Sequence, residues 1–286
     1  MCDQEHLARW AKLELNRRTL GAGAMMGTLA ACAPVDMAAD STGTEVMAST
    51  VSFATGQGTL DGEFFALPGG PHPGVILSPD IAGIRPAKRQ MAMRLAKEGY
   101  AVLLANPYYR DVAGQQFEDF ATFAASDGFQ KVRPWRSKFN ADTIKLDNTA
   151  AAAWLMDQSE VDADRGIGVQ GYCMTGSFAV YGPWSHDGIA AGASFHGGGL
   201  VQDKATSPHR TLQSDGHYLV AISQDDDAEA PTHDDQIRAM EAQAALLEVE
   251  VYPADHGFCV PDSPSYDRTQ AERAWARLLA LYEKAL

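Results

Sequence analysis

Five short apolar runs, at residues 74–78, 100–105, 166–170, 189–195 and 218–223, carry few or no polar residues at alternate positions, and residues 248–252 read as a further strand. The lack of alternation in these runs marks strands buried on both faces. Between them lie stretches with helical spacing of apolar residues, at 85–98, 141–158, 177–181, 234–247 and 265–285. Strand, helix, strand repeated in this way builds a parallel sheet with helices on both faces. Ahead of the first buried run, residues 51–54 and 62–67 flank the turn Gly56-Gln57-Gly58 and predict an opening hairpin. The chain has 286 residues and 45% hydrophobic composition, which supplies one large α/β core.

The run ending at Gln170 leads into Gly171-Tyr172-Cys173-Met174-Thr175-Gly176 and then a helical stretch. A nucleophile at such a strand-to-helix turn needs small neighbours on both sides, because its backbone is strained and its flanks are crowded. The helix start beneath it favours the thiolate. Cys173 is therefore the candidate nucleophile. A base is expected beyond the last strand, and His256 stands there in Asp255-His256-Gly257-Phe258. Between the two, the strand ending at Ser223 runs into Gln224-Asp225-Asp226-Asp227, a carboxylate-rich turn at the place of a third triad member. The order Cys, Asp, His, each just after a strand, is more specific than any one of the three.

Together with Pro79-Asp80-Ile81-Ala82-Gly83 and Asn106-Pro107-Tyr108-Tyr109-Arg110, these motifs resemble the dienelactone hydrolase family over residues 50–286. The resemblance implies an α/β-hydrolase fold with a mostly parallel eight-stranded sheet. It implies hydrolysis of a small ester or lactone through a thioester, with no metal or organic cofactor. The family's spacing of the acid before a proline, here Pro231, selects Asp227, with Asp226 and Asp225 as alternatives. Asp80 takes the place of a carboxylate that controls the thiol, and Arg110 and Tyr109 that of substrate-binding residues. Val260 stands where a second substrate-binding arginine is expected. The oxyanion hole is expected from the backbone N–H groups of Ile81 and Met174.

Other features are set aside. His196-Gly197-Gly198-Gly199 copies a lipase oxyanion motif but follows the nucleophile, and is read as a glycine-rich loop lining the site. His233 with Asp234 and Asp235 is read as a solvated helix start, so no metal site is expected. Residues 111–140, with Phe117, Phe120, Phe123, Phe129 and Trp135, form a small cap or excursion.

The N-terminus reads as an export signal over residues 1–31, with Arg17-Arg18 resembling a twin-arginine motif and Leu29-Ala30-Ala31-Cys32 a lipobox. Lipidation at Cys32, a tether over 32–49 and a place on the periplasmic or cell-surface side of a bacterial membrane follow as expectations, with a soluble periplasmic form as the alternative. The uncharged stretch is shorter than the about 20 apolar residues of a membrane-spanning helix. A net charge of −14 argues against nucleic acid as partner. The expected partner is a small ester or lactone and the expected state a monomer. Two rival readings are a non-catalytic binding module on the same fold and a thiol redox protein using Cys173 and Cys259, two of four cysteines.

Overall fold

The computed structural model describes residues 45–286, so the export signal, the lipobox and most of the tether lie outside the described residues. Eight strands form one sheet: β1 (Met47–Ala54), β2 (Thr59–Ala66), β3 (Gly74–Ser78), β4 (Ala101–Ala105), β5 (Ile167–Tyr172), β6 (Ile189–Phe195), β7 (His217–Ser223) and β8 (Leu246–Tyr252). Their order is β1-β2-β4-β3-β5-β6-β7-β8. The opening hairpin and the β2–β4 pair are antiparallel, and the other five pairings are parallel. The expected fold class is the one found.

Every residue of β3, β4 and β5 is buried, as their unbroken apolar composition requires. Alternate residues feed two cores. Val75 and Leu77 join Met91 and Leu95 of helix α1 (Pro86–Lys97) and the C-terminal residues Leu278 and Tyr282. Ile76 joins Ala151, Ala152 and Leu155 on the other face. Between β4 and β5 lie α2 (Phe120–Ala125), α3 (Gly128–Arg136) and α4 (Ala141–Met156). The Asn140 side chain accepts from the N–H groups of Asp142 and Thr143 to start α4.

The expected cap consists of α2 and α3. Asp119 Oδ1 accepts from Thr122 N at 2.6 Å to begin α2, and Phe117, Phe120, Phe123, Phe129 and Val132 cluster with Tyr108 and Cys173. Phe123 meets Phe129 edge to face at 4.7 Å.

After β5 come α5 (Gly176–Val180) and α6 (Gly182–Ser185); after β7 come α7 (Gln224–Glu229) and α8 (His233–Arg238); α9 (Arg268–Ala285) closes the chain. Two elements differ from expectation: residues 47–49, expected in the tether, already belong to β1, and a helix is shorter than expected. The helix expected over 234–247 stops at Arg238, and β8 already starts at Leu246. Leu246 and Leu247 pair with His217 and Tyr218 of β7, so the sheet takes the apolar residues that had suggested a longer helix.

Candidate active site

Cys173 sits at the C-terminal end of β5 with φ of +56°, a left-handed conformation unusual for a residue with a Cβ. The crowding around it shows why the flanks must be glycine. A Cβ at Gly171 would fall 2.0 Å from the Thr175 carbonyl oxygen, and one at Gly176 would fall 2.4 Å from Gly197 Cα. Thr175 ties the turn to the sheet, donating from Oγ1 to Ser78 O at 2.8 Å and accepting from Tyr172 N at 3.0 Å. Cys173 is buried and disulfide-bonded, and Cys259 is free.

Cys173, Asp80, Phe120, His196, His256 and Val260 line one small cavity. His256 is buried, and its Nδ1 lies 2.7 Å from Asp226 Oδ2. The expected acid, Asp227, is not the one that reaches it. The three aspartates begin α7, where each step turns by about 100°, so only one side chain faces His256. Asp226 is fixed there by Ser223 Oγ, which donates to it at 2.6 Å, and Asp225 Oδ1 accepts from the His256 backbone N–H at 2.8 Å. Burial pushes the Asp226 pKa up, but hydrogen bonds from His256 and Ser223 and the His256 charge outweigh it and hold the carboxyl down at about 2.

Asp80 lines the cavity, yet its oxygens are engaged elsewhere. Arg85 Nη1 and Nη2 donate to Oδ1 and Oδ2 at 2.8 and 2.9 Å, Lys88 Nζ lies 2.9 Å from Oδ2, and Ala82 N donates to Oδ1 at 3.0 Å. Burial opposes its ionisation, but the two cations prevail and keep the carboxyl well below the usual range. Asp80 therefore acts on its surroundings as a fixed anion and is a poor acceptor for the thiol proton. Arg85 also bonds Asp262 at 2.7 and 2.8 Å, and Asp262 Oδ2 accepts from the first N–H of α2 at 3.0 Å, so one guanidinium joins the site to the cap. The sequence offered Arg85 and Lys88 only as helix residues; their placement just after Asp80 was the available signal.

Arg110 and Tyr109 are not in this cavity. Arg110 donates to both oxygens of Asp147 at 2.7 and 2.8 Å, and Tyr109 Oη donates to Asp147 Oδ1 at 2.6 Å. Tyr109 packs with Leu60 and Phe64 in the core on the α4 side of the sheet. The guanidinium expected to hold substrate is thus neutralised within the scaffold, a correction that follows from the carboxylate on α4.

Ile81 is fully buried and Met174, which follows Cys173, is half-buried. A larger cleft of ≈ 350 Å³ opens next to Met174, lined by Phe139, Asn140, Tyr181 and Gln202. Cys259 lines a separate cavity with Trp275 and Leu278, and burial pushes its thiol well above the ordinary value. Among the described residues no group of three or more His, Cys, Asp or Glu side chains is placed to hold a metal ion.

The signature of the Dienelactone hydrolase family matches residues 62–286. The chain belongs to that family. A Synechocystis protein named carboxymethylenebutenolidase is 28% identical over 227 residues, 76% of this chain and 88% of its own. One of the same name from Methylorubrum extorquens is 25% identical over 281 residues, 94% of this chain and 92% of its own. The solved structure from Klebsiella pneumoniae that carries the dienelactone hydrolase name is 23% identical, covers 84% of this chain and 99% of its own, and gives a TM-score of 0.66, a likeness of fold.

Proposed function

We propose that this hydrolase cleaves a small ester or lactone by way of a Cys173 thioester. The observation that carries the reading is the His256–Asp226 pair at 2.7 Å, lining one cavity with a cysteine at a strained strand-to-helix turn. Once Cys173 is reduced, His256 takes its proton, and Asp226 fixes the imidazole through Nδ1 so that the other ring nitrogen serves as base. The sulfur adds to the substrate carbonyl. The backbone N–H groups of Ile81 and Met174 receive the oxyanion, and His256 returns the proton to the departing alkoxide. Water then adds to the thioester and releases the acid.

The aromatic cap beside Cys173 and the cleft beside Met174 fit a compact substrate with an apolar or aromatic part. With Val260 in the cavity wall and Arg110 bound to Asp147, no arginine of the expected pair is offered to a substrate carboxylate there. Neutral esters and lactones are therefore the better substrates. The test is hydrolysis of p-nitrophenyl acetate and an enol lactone by the full chain in the presence of a reductant, with intact-mass analysis of the acyl protein. Cys173→Ala is expected to abolish turnover and adduct together; equal rates in both proteins would sink the cysteine mechanism. Export with lipidation at Cys32 is proposed on the sequence alone. It predicts membrane-fraction protein that a Cys32→Ser change releases, and unchanged partitioning of that variant would refute it.

A further inference from the structure

His196, the residue after β6, takes no part in the mechanism above. Its backbone is left-handed, with φ of +40°, and its side chain is 1% exposed. The loop is pinned on both sides: His196 N donates to Ala221 O at 2.7 Å, and Gly198 N donates to the carbonyl of Cys173 itself at 3.0 Å. Gly197 has no room for a side chain, since a Cβ would lie 2.1 Å from Ser194 Oγ. So fixed, the imidazole stands edge-on to His256 with ring centroids 4.8 Å apart and enters the wall of the cavity shared by Cys173 and His256. Neither Nδ1 nor Nε2 has a hydrogen-bond partner among the described residues.

An imidazole buried to this extent needs partners for its nitrogens. Burial, first, and the neighbouring His256 charge hold its pKa well below the ordinary value, so the ring is neutral, with one N–H and one acceptor nitrogen. The cavity volume open to it is ≈ 10 Å³. That is about the volume one water centre occupies, and Cys173, His196 and His256 all stand in its wall.

We propose that His196 positions the water that hydrolyses the thioester. The inference rests on the acyl-enzyme reading above and deepens it. After the leaving group departs, the water lies between the two histidines. One of its hydrogens is accepted by the unprotonated nitrogen of His196, and the other points to the base nitrogen of His256. The water oxygen bonds to the thioester carbon as His256 takes a proton. The carbon–sulfur bond then breaks, and that proton passes to the Cys173 sulfur, which leaves the free acid and the resting thiol. His196 is a positioning residue in this step: it orients the nucleophile and exchanges no proton with it.

The experiment is stopped-flow hydrolysis of p-nitrophenyl acetate by the full chain under reductant, with the burst reporting acylation and the steady state reporting deacylation. His196→Phe keeps a planar ring and removes both nitrogens. It is expected to leave the burst nearly unchanged, to slow the steady state by about tenfold or more, and to accumulate acetylated Cys173 by intact mass. His196→Asn or His196→Gln, which return an amide near one ring nitrogen or the other, should restore deacylation in at least one case. A common fall in both phases, or an unchanged steady state in His196→Phe, overturns the proposal. If the Phe variant does not fold, a crystal structure of the reduced wild type decides: a water bonded to a His196 nitrogen and within reach of His256 upholds it, and a protein group on both nitrogens overturns it. A wild type that turns over with no burst and no adduct removes the acyl-enzyme reading itself, whereas a normal wild-type burst with an unaffected variant removes only the role of His196.

Discussion

Three consecutive aspartates follow β7, and the difference between them is a matter of direction. Spacing could place the acid in this turn but could not choose within it, because the choice depends on where α7 begins and on the Ser223 hydroxyl that bonds Asp226. Asp226→Asn is expected to lower kcat/KM by about 10²–10⁴, since the amide favours the wrong imidazole tautomer. Asp227→Asn should stay within about twofold, so steady-state assays of the two variants separate the assignments; equal losses would contradict the geometry. Arg110 was misread for a related reason: a sequence motif shows that a guanidinium is present but not that Asp147, 37 residues on, has claimed it. Arg110→Met should therefore act on stability. It leaves Asp147 without its cation, costing up to about 3–5 kcal/mol, and should change KM for neutral and anionic esters by the same factor. A selective rise in KM for anionic esters alone would return Arg110 to the substrate site.

At the scale of elements, the buried strands and the strand-to-helix turn were legible because each is enforced locally. Unbroken apolar runs bounded by turn residues fit strands between two covered faces, and the Gly171-Tyr172-Cys173 turn tolerates nothing larger on its flank. What was not legible depended on partners distant in sequence: the sheet ladder that captures Leu246 and Leu247, and the Arg85 bridge to Asp262 that holds the cap. The elbow gives a sharp test. Gly171→Ala must displace backbone, because the Thr175 carbonyl cannot retreat without unwinding the start of α5. The expected loss is about 1–3 kcal/mol or more, read as a lowered melting temperature together with lost turnover. Gly198→Ala is the matched control: it meets nothing within 4 Å and has no left-handed φ, so it should stay within about 0.5 kcal/mol. Comparable losses in the two variants would mean that the tight approach at Gly171 does not govern the turn.

For the whole molecule, a net charge of −14 would suggest that acid, by neutralising carboxylates, relieves repulsion and stabilises the fold. The site argues the other way. Asp80 and Asp226, which follow β3 and β7 of the same sheet, are both held ionised below the ordinary carboxylate range, the first by Arg85 and Lys88 against its burial and the second by His256 and Ser223 against its burial. A depressed folded-state pKa contributes stability that is complete above the unfolded pKa of about 3.9 and disappears as pH falls through the folded value. For Asp226 that window runs from about 4 down to about 2, and the contribution is about 2 kcal/mol. Asp80 loses its share at still lower pH. Melting curves of the wild type and Asp226→Asn under reductant should therefore be well separated at pH 6 and draw together as pH falls through this window, with the wild type losing the more. A separation that stays constant to pH 2 would mean that the Asp226–His256 pair does not depress the carboxyl. The relief of overall repulsion would then be the controlling effect in acid.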